Sequence, residues 1–316
     1  MRRGLGIALL SLASCSRHAT PEHAVDGRDG AASGARDAAA ETTDTNNAYD
    51  ATAPADAGPL RAPLTGFPWQ VDLTDPPQDV ADAGAGAKVT RLGCVSVPLG
   101  ATEPRPIMIA LHGGSDRPEW ACGAWRGITG DYPFLVCPHG VGTNEASLAW
   151  SSPADTKARI ARAIAETKRI FGSWVREAPI VLVGFSMGGT QAALLAKSEP
   201  KTYRRVGLAE SAYAPEAAVA FAQPWAAGGG ERAIFLCTTG GCDAPYRNAA
   251  RNVARHGAPA RLNIAGTNAH GMWDVVVQSM RRDWPWVVEG AEGWETYTPA
   301  KEDGPLPGKT ESFEPR

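Results

Sequence analysis

The stretch Gly184-Phe185-Ser186-Met187-Gly188, followed by Gly189, decides the fold of this chain. It comes after an apolar run at 180–183 and before a helix-forming stretch at 190–197. A strand, the pattern G-x-S-x-G and a helix together indicate a nucleophile elbow, a sharp turn that lifts a serine hydroxyl above the edge of a sheet. The alternative is a turn of small residues in which Ser186 only caps the helix.

Other apolar runs of strand length lie on both sides of this turn. Helical patterns separate them, and strands that alternate with helices predict a mostly parallel sheet with helices on both faces. Ser152 and Pro153 predict the start of one helix, and a last helix is expected from near Met272, with Pro285 ending or kinking it. The predicted strands lie at 89–99, 107–111, 134–137, 180–183, 206–209, 233–237 and 260–264.

Length and charge narrow the possible classes of protein. The chain has 316 residues, of which 21% are charged, and a net charge of −3. This length suffices for one core of roughly 200–250 residues plus appendages. Lysine and arginine form no dense run, which argues against nucleic acid as a partner.

The first residues have the pattern of an export signal. Arg2 and Arg3 precede a short apolar segment at 5–12, and Leu12-Ala13-Ser14-Cys15 resembles the lipobox of bacterial lipoproteins. This resemblance implies a signal peptide over 1–14 and a Cys15 that carries acyl chains, palmitate among them, as a membrane anchor. Ser16 at the next position implies the outer membrane of a Gram-negative cell envelope. The alternative is an ordinary secretory signal in which Cys15 is incidental.

Composition divides the remainder of the chain. Residues 15–60 are rich in small and polar side chains and have few large apolar ones, which predicts a disordered tether. We expect a single folded domain over 61–290. Residues 291–316 contain several acidic residues and prolines and are predicted to be an exposed C-terminal tail.

From about residue 88 to 290 the chain resembles α/β-hydrolases, most of all the dienelactone-hydrolase-like and feruloyl-esterase-like serine hydrolases. The resemblance rests on four pieces, each after a predicted strand: His112-Gly113-Gly114, the elbow at Ser186, Asp243 and His270. The order Ser…Asp…His is that of the family. The resemblance implies an α/β-hydrolase fold with a mostly parallel, eight-stranded sheet. No large lid is expected, because the segment between the strands at 206–209 and 233–237 contains no insertion long enough to form one.

The same resemblance implies a catalytic triad. Ser186 would be the nucleophile, His270 the base and Asp243 the acid that orients the imidazole. Glu210, just past the strand at 206–209, is the alternative acid. Asp274 is expected to cap the last helix rather than to take part.

An oxyanion hole is expected beside the serine. The backbone N–H of Met187 would supply one donor, and that of Gly113 or Gly114 would supply the other. Trp120 and Trp150 are placed on the rim of the site, where they either bind the substrate or simply pack.

Five cysteines remain besides Cys15, so at least one is unpaired. Cys237 and Cys242 flank a short loop and are predicted to form a disulfide. The fold resemblance also allows a bond between Cys94 and Cys137, with Cys122 competing for either partner.

Together these features predict a lipid-anchored serine hydrolase that cleaves small esters through an acyl-enzyme and needs no cofactor or metal. The alternatives are a peptidase of the same fold and a binding lipoprotein that keeps the scaffold without turnover. His112 and His139 are expected to be structural, with His112 bracing the oxyanion loop.

Overall fold

A computed structural model describes residues 62–75, 90–145, 147–211, 220–238, 241–266, 270–302 and 304–315. Internal contacts divide the chain into Met1–Ala48 and Tyr49–Arg316, and every described residue belongs to the second unit. The predicted signal peptide, Cys15 and the predicted tether up to residue 60 lie outside the described residues.

Nine of the eleven described strands form one sheet, in the order β1-β2-β4-β3-β7-β8-β9-β10-β11. The six strands from β4 to β10 in this order run parallel, whereas β1, β2 and β11 pair antiparallel. β5 and β6 form a separate antiparallel hairpin. The strands are β1 (Gln70–Thr74), β2 (Arg91–Ser96), β3 (Ile107–Leu111), β4 (Phe134–Pro138), β5 (Val141–Asn144), β6 (Ser147–Ala149), β7 (Val181–Phe185), β8 (Arg205–Ala209), β9 (Arg232–Cys237), β10 (Ala260–Ile264) and β11 (Lys309–Phe313).

Capping residues and glycines mark the ends of several helices, as the second helix shows. Ser152 accepts the backbone N–H of Asp155 at 3.2 Å and so caps the second helix, which ends before Gly172 at a φ of 50°. A 3-10 turn follows at Gly172–Trp174. The described helices are α1 (Pro118–Thr129), α2 (Pro153–Phe171), α3 (Met187–Ser198), α4 (Ala222–Ala227), α5 (Asp243–Arg255) and α6 (Val275–Val288).

The last helix departs from its predicted bounds. It starts at Val275 rather than near Met272. Pro285 lies inside it, so of the two predicted effects of this proline the helix end is excluded, and a kink stays a prediction. Asp274 occupies the N-cap position with a φ of 34°, but its side chain makes no capping hydrogen bond. Asp274 thus lies at the cap position of the last helix, as predicted, without a capping hydrogen bond from its side chain.

Helices cover both faces of the sheet, as predicted. Alternate residues of β3 belong to two different apolar clusters, since successive side chains of a strand point to opposite faces. Ile107, Ile109 and Leu111 pack with α2, α3 and α5, whereas Met108 and Ala110 pack with α1 and α6. Burial on both faces explains why these strands are continuously apolar in sequence.

The predicted C-terminal tail is not an exposed appendage. Residues 309–313 form β11, which pairs with β10 from Ile264↔Lys309 to Ala260↔Phe313 and extends the predicted eight strands to nine. Trp294 is only 3% exposed. Polar contacts hold the strand: Thr310 donates to the buried carboxylate of Asp283 at 2.6 Å. This corrects the tail prediction for most of 291–316.

The described residues bear on a lid over the site and on membrane-spanning helices. The segment between β8 and β9 contains α4, and its residues 212–219 lie outside the described residues, so the expected absence of a large lid stays a prediction. In the part of the chain that the structure describes, no helix is both long and apolar enough to cross a membrane.

Candidate active site

The turn between β7 and α3 has the geometry of an elbow. Ser186 lies at its apex with φ 51° and ψ −120°, a strained combination for a residue with a side chain. A Cβ on Gly184 would lie 2.4 Å from the carbonyl carbon of Gly188, and one on Gly188 would lie 2.3 Å from the carbonyl oxygen of Leu111. Only glycine permits this close approach, which explains the G-x-S-x-G pattern.

His270 faces the serine. Its Nε2 lies 3.0 Å from Oγ of Ser186, within hydrogen-bonding distance. The imidazole packs against the ring of Phe185 with the centroids 4.8 Å apart. The side chain of His270 is 38% exposed. The structure therefore brings together two of the three predicted triad residues.

The carboxylate on the other side of the imidazole belongs to Glu210, not to Asp243. Oε2 of Glu210 lies 3.1 Å from Nδ1 of His270, and the Glu210 side chain is fully buried. Asp243 is the first residue of α5 and forms an ion pair with Arg247, one turn further along, at 3.3 Å. This corrects the prediction of Asp243 as the third member and selects the alternative, Glu210.

Backbone geometry explains the position of Glu210. The residue follows β8, the neighbour of the serine strand β7, and its φ of 51° is in the left-handed region. Its N–H donates to the carbonyl oxygen of Leu236 at 3.0 Å. The next residue, Ser211, donates its N–H to the hydroxyl of Tyr246 at 2.6 Å. These contacts fix the turn on which the carboxylate is carried.

The loop after β3 lies beside the elbow, as predicted. The N–H of Gly113 already donates to Oδ2 of Asp116 at 3.1 Å, whereas Gly114 is exposed and lies against the side chain of Met187. Met187 is the first residue of α3, where backbone N–H groups have no acceptor within the helix. Among the described residues, the N–H groups of Met187 and Gly114 are thus the candidates for an oxyanion hole that no acceptor already engages.

The tryptophans differ in position. Trp120 is 55% exposed, with the guanidinium of Arg117 4.4 Å above its ring. Trp150 is only 6% exposed, and its Nε1–H donates to the carbonyl oxygen of His112 at 2.8 Å. For Trp150, burial selects packing over the predicted substrate-binding role. Trp273, which we did not predict, is 56% exposed three residues after His270.

His112 and His139 are engaged in structural contacts. Nδ1 of the buried His112 lies 2.7 Å from the carbonyl oxygen of Gly113, which braces the oxyanion loop as expected. Burial lowers the pKa of His112, so its imidazole stays uncharged. Nε2 of His139 lies 2.8 Å from Glu145. The hydrogen bond from His139 lowers the pKa of the Glu145 carboxyl.

Two disulfides are present among the described residues. Cys237 and Cys242 are bonded, which confirms the predicted pair. The second bond joins Cys122 to Cys137. Cys94 lies opposite Cys137 in the register of β2 and β4, yet it is a free, buried cysteine.

This pairing gives a testable pattern of thiol reactivity. Burial raises the pKa of the Cys94 thiol, so little reactive thiolate forms. In oxidised protein we expect peptide maps with 122–137 and 237–242 linkages, and alkylation of Cys94 only after denaturation. Rapid alkylation of Cys94 in the folded protein, or a mapped bond from Cys94, would contradict this assignment.

Within the described residues, two groups of side chains have the proximity of metal ligands. They are Cys94 with Cys122 and Cys137, and Glu210 with Cys237 and Cys242. In each group two of the sulfurs form a disulfide, and a disulfide sulfur is not the thiolate that binds metals. Neither group as it stands is a metal site.

Comparisons with known proteins give only distant likenesses. No protein-family model matches the chain, and no curated protein matches it. Among solved structures, a carboxylesterase from Mesorhizobium loti has a TM-score of 0.42 and 18% identity, over 59% of this chain and 90% of its own. An S-formylglutathione hydrolase from Agrobacterium tumefaciens has a TM-score of 0.48 and 13% identity, over 72% and 99%.

The fold is established by the chain's own geometry. Six parallel strands have helices on both faces, and a strained serine follows the central strand β7. A buried acid follows the next strand, β8, and the histidine follows β10, the last parallel strand. This chain has the α/β-hydrolase fold.

Proposed function

We propose that this protein is a serine hydrolase that cleaves carboxylic esters through an acyl-enzyme intermediate. One observation carries the proposal: the imidazole of His270 bridges Oγ of Ser186 at 3.0 Å and the buried carboxylate of Glu210 at 3.1 Å. A nucleophile, a base in hydrogen-bonding reach and a third group that orients the base make up an activated serine.

Each member of the triad has a distinct task. Oγ of Ser186 attacks the ester carbonyl carbon while Nε2 of His270 takes the hydroxyl proton. Glu210 accepts the Nδ1–H, which keeps Nε2 free as the base and stabilises the imidazolium that forms. The imidazolium then protonates the leaving alcohol, and a water molecule, activated in the same way, hydrolyses the acyl-enzyme.

The developing oxyanion requires donors that are already in place. The N–H of Met187 and the N–H of Gly114 are the two we assign, because Asp116 already accepts the N–H of Gly113. This contact favours Gly114 over Gly113, the two donors between which the sequence leaves the choice open.

The substrate we propose is a short or soluble ester. Met187, 40% exposed, directly follows the serine, and Trp273, 56% exposed, lies three residues after the histidine. Both offer apolar surface to an acyl or alcohol group. With Trp120 they replace Trp150 as candidate substrate contacts.

A fluorophosphonate probe tests the proposal, because it labels only an activated serine. We expect the wild-type protein to be labelled at Ser186 and to hydrolyse p-nitrophenyl esters, with rates that fall as the acyl chain lengthens. Cleavage of peptides but not of esters would favour the peptidase alternative. Complete absence of labelling would favour a binding protein on this scaffold.

Lipid anchoring is a second proposal, supported by the sequence around Cys15 alone. Only a thiol accepts the diacylglyceryl group, so Cys15→Ser should block lipidation and leave either precursor or soluble protein. Each buried CH₂ contributes about 0.8 kcal/mol, so loss of the acyl chains removes the anchor. Wild-type protein should enter the detergent phase and incorporate labelled palmitate; its recovery wholly in the aqueous phase would refute the anchor.

A further inference from the structure

The carboxylate of Glu210 is enclosed on its far side by a disulfide. Whereas Oε2 faces His270, Oε1 accepts the backbone N–H of Thr238 and lies 3.1 Å from Sγ of Cys242. The side chain of Glu210 is 0% exposed. A buried charge is stable only when it is hydrogen-bonded or paired, so these few contacts define where the carboxylate sits.

The Cys237–Cys242 bond fixes both contacts on Oε1. Cys237 ends β9 and Thr238 follows it directly, while Cys242 immediately precedes α5. The disulfide closes this five-residue step with the Cα atoms 5.6 Å apart. It thereby ties the N–H of Thr238 and the sulfur of Cys242 to two rigid elements, β9 and α5.

The oxidation state also decides what Cys242 offers to the carboxylate. A disulfide sulfur has no hydrogen, so in the bonded form it contacts Oε1 without donating. A thiol in its place would donate S–H to Oε1, and an added donor draws charge away from the oxygen that faces His270.

We propose that the Cys237–Cys242 disulfide is a positioning element of the catalytic triad, which holds Glu210 against His270 and leaves its negative charge directed at the imidazole. The proposal rests on the proposed function. Among the described contacts, those of Cys242 with Oε1 and of the disulfide with the chain at Thr238 reach the triad through Glu210.

The charged and titratable surroundings of Glu210 are few in the described part of the chain. His270 faces it from the loop after β10, Cys242 from the start of α5, and Tyr246 from α5 through Ser211. Burial raises the pKa of Tyr246, which therefore stays neutral. Asp243 forms an ion pair with Arg247 instead.

The second disulfide provides a matched control. Cys122–Cys137 is also buried, with a similar Cα separation of 5.9 Å, but it joins α1 to β4 and borders Cys94, at 3.6 Å between sulfurs. Its loss removes a covalent link without removing a contact of Glu210.

The experiment compares wild type, Cys237→Ala/Cys242→Ala and Cys122→Ala/Cys137→Ala. For each, the rate of fluorophosphonate labelling and kcat on a p-nitrophenyl ester are measured against pH, with thermal melts to confirm folding. Because a misplacement of about 1 Å can cost 10²-fold, we expect kcat to fall about 10- to 100-fold in the 237/242 variant, with KM little changed.

The pH profile separates positioning from general destabilisation. A carboxylate that is held less firmly stabilises the imidazolium less. The acidic limb of the profile of kcat against pH should therefore move to lower pH in the 237/242 variant and stay fixed in the 122/137 variant. Cys237→Ala/Cys242→Ser, whose introduced hydroxyl can donate to Oε1, should move the limb further in the same direction.

Each outcome bears on the proposal. Unchanged kcat and an unchanged limb in a folded 237/242 variant would overturn it, as would equal shifts in both double-alanine variants. If the 237/242 variant does not fold, the same shift of the acidic limb is measured in Cys237→Ala/Cys242→Ser and in single Cys242→Ser, and an unchanged limb in these variants overturns the proposal. Absence of labelling in wild type would instead refute the proposed function, so the two failures are distinguishable.

Discussion

Glu210→Gln is expected to lower kcat by about 10²–10⁴-fold with little change in KM. The amide oxygen can still accept the N–H of Thr238, which directs the amide nitrogen towards Nδ1 of His270. An N–H donor there favours the tautomer that carries its proton on Nε2, and this nitrogen can then no longer accept the proton of Ser186. The loss of charge also removes the stabilisation of the imidazolium.

Asp243→Asn is the matched control, since it makes the same chemical change at the residue that the family resemblance implies as the acid. Its carboxylate is 33% exposed and is paired with Arg247 on the surface of α5. Such pairs contribute about 0–1 kcal/mol to stability and none to the site. Activity on a p-nitrophenyl ester should therefore stay close to wild type. The opposite pattern, with Asp243→Asn inactive and Glu210→Gln active, would refute the assignment of Glu210.

The elbow was predictable because its requirements are local. A turn this sharp needs glycine on both sides of Ser186, and a parallel strand buried on both faces needs a continuous apolar run. Both are visible in a stretch of about ten residues. The resemblance to α/β-hydrolases adds the approximate position of His270, near the end of the last parallel strand.

The acid of the triad could not be identified from a short stretch of sequence in the same way. Glu210 and Asp243 each come shortly after a parallel strand, so both meet the same rule in sequence. The choice depends on the left-handed turn at Glu210 and on the chain path that takes Asp243 into the first turn of α5, next to Arg247. The backbone dihedral is not visible in the amino-acid pattern, and the i,i+4 spacing of Asp243 and Arg247 does not by itself show that the helix begins at Asp243.

The C-terminal strand was missed for a different reason. β11 has the sequence Lys-Thr-Glu-Ser-Phe, with one apolar residue, because it lies at the edge of the sheet. Its side chains are held by polar contacts, such as the ion pair between Glu311 and Arg247 at 2.7 Å. An edge strand that buries little apolar surface has no hydrophobic pattern by which it could be recognised.

Ser186→Ala is expected to lower kcat by about 10³–10⁶-fold and to abolish fluorophosphonate labelling, because it removes the attacking oxygen. The rest of the site should remain, since the side chain of Ser186 contributes to it through a hydrogen bond to His270. Folding is checked by thermal melting. If purified Ser186→Ala retained more than about a tenth of the wild-type esterase activity, another nucleophile would have to be responsible.

Ser186→Gly makes the same chemical deletion but also relieves the backbone. A residue with a Cβ at φ 51° and ψ −120° costs about 1–3 kcal/mol in strain, and glycine does not bear this cost. Glycine loses about 0.5–1 kcal/mol more chain entropy on folding, which offsets part of the gain. We therefore expect Ser186→Gly to be as inactive as Ser186→Ala but more stable by about 1 kcal/mol in denaturant titrations. If Ser186→Gly were equally stable or less stable, the backbone at the elbow would store no strain, and the position of the serine hydroxyl would not depend on such strain.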